Sequence, residues 1–160
     1  MKKTQTTQTL REPVEMWFNA THMASIVAHA QAARVMLRMV LLAVHAQDNG
    51  ATVESNNAGA SLWSPLVGAV LIRLDAVQLT LIETPNAPPI DYWTTHALVK
   101  ALDSALWDGY CTSAPVLSTD ELKTAVQVVI DALDDQLREC ADVAAAQALP
   151  GSQTNESIKH

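Results

Sequence analysis

The stretch SPLVGAVLIRLDAVQLTLIE, residues 64–83, decides the fold. At a spacing of three and four, Val67, Val70, Leu74, Val77 and Leu81 fall on one face, as in a helix seated against other helices. At a spacing of two, Val77 to Leu81 alternates apolar and polar side chains, as a half-buried strand does. The helical pattern runs through the whole segment and the alternation covers only its end, so the segment is read as a helix. Ser64 suits the capping position. Pro65 suits the first helical position, where its missing N–H is not needed.

Polar punctuation on either side marks three companion segments. Asp48 to Gly59 is rich in Asn, Gly and Ser and reads as a loop. Thr84 to Pro89 holds three prolines, Gly109 to Ser118 contains Pro115, and Pro150-Gly151 opens a polar tail. The apolar segments between these breaks are about 20 to 30 residues long, longer than ordinary strands. In the first, Met23, Ile26, Val27, Ala30, Ala33, Leu37, Val40 and Val44 keep helical spacing, while Val35, Met39 and Leu42 carry apolar groups on the far side. Its polar stripe is narrow: Gln31, Arg34, Arg38 and His45. A helix this apolar around its circumference belongs in a core or an oligomer interface. The third segment starts after Pro88-Pro89 and ends at Gly109, with a stripe of Leu98, Leu102, Ala105 and Leu106 edged by Val99 and Tyr92. The fourth opens with Ser118 and Glu121, a capping box. Leu122, Val126, Val129, Leu133, Leu137, Cys140 and Ala144 line one face to Leu149, before Pro150.

Four such helices with connections of moderate length imply an all-α fold, an antiparallel four-helix bundle, with Pro13 to Phe18 offering an extra N-terminal helical turn. The expected organisation is a disordered arm over 1–12, a single helical domain over 13–149 and a disordered tail over 150–160. The first helix has more apolar surface than three neighbours cover, so a homodimer through it is expected.

The 160-residue length suits one domain with a sizeable core. At 49 % hydrophobic residues the composition is too apolar for a disordered chain. Two cysteines, Cys111 and Cys140, are too few for a disulfide framework. No apolar run approaches the roughly 18–20 residues of a membrane span, so no membrane association is expected. Met1-Lys2-Lys3 is followed by the polar Thr4 to Thr9, which cannot serve as the apolar core of a signal peptide. A cytoplasmic protein with free thiols is the expectation. A net charge of −7 argues against direct nucleic-acid binding.

That charge is unevenly placed. Residues 1–80 carry 6 basic and 5 acidic groups, and residues 81–160 carry 4 and 12. Asp131, Asp134, Asp135, Glu139 and Asp142 fall within one stripe of the fourth segment, with Arg138 among them. Such a stripe is either the solvated face of a surface helix or a docking face for a basic partner. The basic stripe of Arg34, Arg38 and His45 is suited to an ion pair with that acidic helix, or to a partner or anion. On the third segment, Trp93, His96, Lys100, Asp103 and Trp107 lie within about 80° of one another beside the leucines. Tryptophans bracketing charged groups resemble the centre of a protein–protein interface.

Site chemistry is sparse. His22 and His29 are two turns apart and have no partner at i+4 for zinc. No Gly-rich turn surrounds a serine, and no phosphate loop or dinucleotide fingerprint is present. Cys140 lies on an apolar face and is expected to be inert, whereas Cys111 in a loop is the more reactive thiol. The expected function is therefore non-enzymatic: a helical interaction protein (adaptor, inhibitor, immunity protein or export chaperone) binding another protein through the Trp93–Trp107 face, with neither metal nor cofactor. One alternative is an acidic mimic of nucleic acid that inhibits another protein. Another is a metal-dependent enzyme of the all-helical nucleotide pyrophosphohydrolase kind, since Glu12 with Glu15 and Glu139 with Asp142 form two carboxylate pairs of a type that can hold Mg²⁺. The denser glutamate cluster of those enzymes is absent from the chain.

Overall fold

The structure, a computed structural model, describes residues 17–48, 56–112 and 117–148. It contains α1 (Ala20–Asp48), α2 (Asn56–Glu83), α3 (Trp93–Thr112) and α4 (Thr119–Ala148), with no strand among the described residues. Each helix packs on the next and α4 closes on α1, giving an all-α bundle arranged as a ring in which diagonal pairs stay apart. The parts of the expected arm, tail and loops at residues 1–16, 49–55, 113–116 and 149–160 lie outside the described residues.

The core rows repeat at three and four throughout. They are Met23, Ile26, Ala30, Ala33, Leu37, Val40 and Val44 on α1, and Trp63, Val67, Val70, Leu74 and Val77 on α2. Tyr92 just before α3 and Thr95, Val99, Leu102 and Leu106 on it follow, and Leu122, Val126, Val129, Leu133, Gln136 and Cys140 on α4. This period lets a helix keep one seam against its neighbours along its whole length. The α1 row and the helical reading of residues 67–81 agree with the pattern in the sequence.

Four local expectations are corrected. First, α2 begins at Asn56, so Asn56 to Gly59 is helical and Pro65 sits inside the helix, not at its start. Pro65 is exposed, and its ring, which lacks an N–H, removes one intrahelical hydrogen bond without ending the helix. Second, Gly109 does not end α3, which continues to Thr112. A single glycine costs a helix only about 1 kcal/mol, too little to stop it. Third, the α3 seam is rotated: Tyr92 and Val99 are buried, while Leu98 and Ala105 are half-buried. Fourth, α4 buries Gln136 where Leu137 was expected, and leaves Ala144 exposed. In both rotated seams a polar residue, Thr95 or Gln136, holds a core position that apolar patterning passes over.

The helix starts follow their capping chemistry. Asn19 Oδ1 accepts from the N–H of Thr21 (2.9 Å) and His22 (3.2 Å), and the Asn19 N–H donates to His22 Nδ1. Residues 17–19 are not helical, and the rest of the expected turn, residues 13–16, lies outside the described residues. The Phe18 N–H donates to the Pro85 carbonyl at 3.1 Å, tying the start of α1 to the end of α2. Between α2 and α3, Ala87 N–H donates to the Thr84 carbonyl across Pro85 and Asn86. Asn86 has φ 59°, the left-handed conformation that Asn tolerates at this turn position. Ser118 and Glu121 form the expected capping box: Ser118 N–H donates to Glu121 Oε2 at 2.8 Å, and Glu121 N–H to Ser118 Oγ at 3.3 Å.

Candidate protein-docking surface

Two contacts fix the seam between α2 and α3. His96 Nε2 lies 3.1 Å from Asp75 Oδ1, and the Tyr92 hydroxyl donates to Gln78 Oε1 at 3.0 Å. Trp93, Lys100 and Trp107 recur every seven residues on the α3 row just outside this seam. They share one edge, with His96 and Asp103 between them and α2. All five expected residues therefore belong to one side of α3. Trp93 is 63 % exposed and Trp107 56 % exposed, and Lys100 is exposed as well. His96 and Asp103 are half-buried, and His96 is held by Asp75 and not by Asp103.

The tryptophan at the start of α3 is supported from below. Buried Tyr92 meets Trp93 edge-on at 5.3 Å and lies 5.3 Å from the His96 ring. Burial, with the Asp75 charge second, pushes the Tyr92 hydroxyl up to about 12, so it remains a hydrogen-bond donor at neutral pH. Asp91 braces the same turn. Its carboxylate accepts from the Thr94 N–H and hydroxyl, bonds that hold its pKa below the ordinary value. Its own N–H donates to Glu139 of α4 at 3.0 Å.

On the α2 side of this edge stand Gly68, Asp75 and Ile82, again seven apart. A Cβ added at Gly68 would meet nothing within 4 Å beyond its own turn of helix. The His96–Asp75 contact places Gly68 level with Asp103, beside the interval between Lys100 and Trp107. The result is a furrow with an aromatic ring toward each end, charged groups between them and a glycine in its wall. Asp75, Gln78 and Gly68 were not foreseen from the sequence, where nothing signals which α2 residues face α3.

The acidic stripe is partly occupied by its own fold. Asp134 pairs with Arg34 of α1: Arg34 Nη2 donates to Oδ2 at 3.2 Å, while Nε lies against Oδ1 out of hydrogen-bond alignment. Asp135 pairs with Arg138, Glu139 is taken by Asp91, and Asp131 accepts from Gln127 at 2.8 Å. Asp142 is exposed. Of the basic stripe, Arg34 thus makes the expected ion pair with α4, and Arg38 and His45 are exposed.

No group of three or more His, Cys, Asp or Glu side chains suited to a metal ion occurs among the described residues; Glu12 and Glu15 lie outside them. The expectation about membrane spans needs amending. Residues 20–46 of α1 and 63–83 of α2 are long and apolar enough to cross a membrane by length and composition, although scattered polar residues interrupt any continuous apolar run. The same property marks core helices of water-soluble bundles. No protein-family model matches the chain, and no curated protein or solved structure matches it either.

Proposed function

We propose that the protein is a non-enzymatic docking module of the cytoplasm that binds another protein along the α2–α3 furrow. The single observation that carries this reading is the pair of exposed tryptophans, Trp93 and Trp107, on one row of α3. Fourteen positions on a helix separate them by about 21 Å, a suitable span for three to four turns of a partner helix. Exposed tryptophan is costly to leave in water and gains most when a partner desolvates it. Lys100 between the rings and Asp103 beside them supply polar contacts that fix the register of what docks. The acidic surplus of α4 supports a partner of basic character, drawn in by opposite potential.

The test is affinity capture from the native host with the wild-type chain and with Trp93→Ala and Trp107→Ala. A protein held by wild type and lost from both variants, then shown to bind the purified chain, supports the reading. Undiminished capture of the same partners by both variants removes it. Gly68→Leu gives a complementary probe, because it places bulk in the furrow without meeting another atom at Cβ. It is expected to weaken binding at least tenfold while leaving the helical spectrum unchanged.

A further inference from the structure

Asp75 meets His96 and Gln78 meets Tyr92, so α2 and α3 run antiparallel along the furrow. The two ends of the furrow therefore differ. Leu79 and Ile82 of α2 stand toward the Trp93 end, and all three side chains are exposed. Toward the Trp107 end the α2 wall drops to Gly68, level with Asp103, and a Cβ there would meet nothing within 4 Å beyond its own turn.

The charged groups between the tryptophans are not equivalent. His96 and Asp75 satisfy each other. Lys100 is exposed, and its long stem can keep the ammonium in water when a partner covers the furrow. Asp103 has a short side chain, is half-buried, and makes no hydrogen bond or ion pair with any described residue, Lys100 included. A partner that docks here strips the remaining water from this carboxylate. An apolar group set against it would leave a desolvated charge unpaired.

We infer that the furrow takes an amphipathic helix whose arginine seats on Asp103, over Gly68. The inference rests on the α2–α3 furrow being the docking surface. Arginine fits better than lysine because its planar guanidinium can meet both carboxylate oxygens at once. The absent side chain at Gly68 leaves space for that plane. The exposed indole of Trp107 gives the arginine stem an apolar surface to lie along. A large apolar residue of the same helix fills the other end against Trp93, Leu79 and Ile82. Trp93 and Asp103 stand about 15 Å apart along the α3 axis. The two anchors of the partner are therefore expected about ten or eleven residues apart, on one face after three turns.

The test pans a phage-displayed library of amphipathic helical peptides, randomised on one face, against the purified full chain. Selected peptides are expected to carry arginine at one fixed position, at that spacing from a large apolar residue. Asp103→Asn is expected to weaken such a peptide by about tenfold or more in calorimetric titration, with unchanged far-ultraviolet circular dichroism. Replacing the peptide's arginine by citrulline, which keeps the shape without the charge and leaves the protein untouched, should cost as much. The two changes together should cost little more than either alone. The inference is overturned by peptides that need Trp93 and Trp107 but carry no arginine, or that bind Asp103→Asn as tightly as wild type. Both of those results leave the furrow reading standing. Peptides indifferent to Trp93→Ala and Trp107→Ala, or no selected peptide at all, overturn the inference and the furrow reading together.

Discussion

Gln136 is the most expensive side chain in the core. It is 2 % exposed, and neither its amide nitrogen nor its oxygen has a hydrogen-bond partner. The Arg34–Asp134 pair sets it level with Ala30 and Ala33 of α1, whose small side chains leave room for a long one. Leucine has nearly the same bulk and nothing to desolvate, so Gln136→Leu is expected to raise stability by roughly 1–3 kcal/mol, read as a higher denaturant midpoint. A lower midpoint would mean that the amide is satisfied in the working protein. The two thiols separate as cleanly. Cys111 is exposed and should react with a thiol reagent in the folded protein, whereas buried Cys140 should react only on unfolding. Burial, then the neighbouring Glu139 charge, pushes the Cys140 thiol up to about 11, and burial raises Tyr92. The unfolded chain releases these protons first as pH rises. Stability should therefore fall from about pH 9 upward, most steeply toward pH 11, in a pH series of chemical denaturation.

At the level of elements, α4 shows how much of a helix is legible in its residues alone. Ser118 and Glu121 announce its start because their reciprocal bonds satisfy backbone groups that the first turn cannot. Ser118→Ala is expected to cost about 1 kcal/mol. The Ser118 bonds also hold the Glu121 carboxyl below its ordinary pKa, and the Thr94 bonds do the same for Asp91. A depressed folded-state pKa contributes stability above the unfolded value and loses it as pH falls through the folded one. Melting followed by circular dichroism should therefore decline below about pH 4, less so in Glu121→Gln. What the pattern misread was rotation, not existence. Apolar periodicity puts Leu137 and Leu98 into the seams because it scores side chains one helix at a time. Gln136 and Thr95 are buried because of what faces them, which no single helix encodes. Pro65 and Gly109 misplaced two helix ends for a similar reason: tertiary packing over many turns outweighs a local breaker worth about one to three kcal/mol.

For the whole molecule, the order of helices and the location of polar and apolar sides decide what can approach. The tryptophan edge of α3 was legible from the spacing of Trp93, Lys100 and Trp107. The furrow was not, because Gly68 and Asp75 join it only through the α2–α3 contact. Likewise the acidic stripe was visible as a row of carboxylates with Arg138 among them and the Arg34 stripe as a suitable counterpart, while the Asp91 N–H on Glu139 depended on the fold. Asp131 and Asp142 are then the residues through which long-range attraction of a basic partner should be tuned. Reversal of both to lysine is expected to slow association about tenfold at low salt, with a much smaller effect at high salt, while the dissociation rate stays near wild type. Stopped-flow binding at two ionic strengths checks this. A change confined to dissociation would instead place α4 inside the interface.

The Arg34–Asp134 pair joins two antiparallel rods, so the start of α1 and the end of α4 lie toward the same end of the bundle. The polypeptide is therefore topologically ready to be rewired. A flexible bridge from the end of α4 to the start of α1 would let new termini be opened between α1 and α2, and a permuted chain of that kind should refold to the same ring of four.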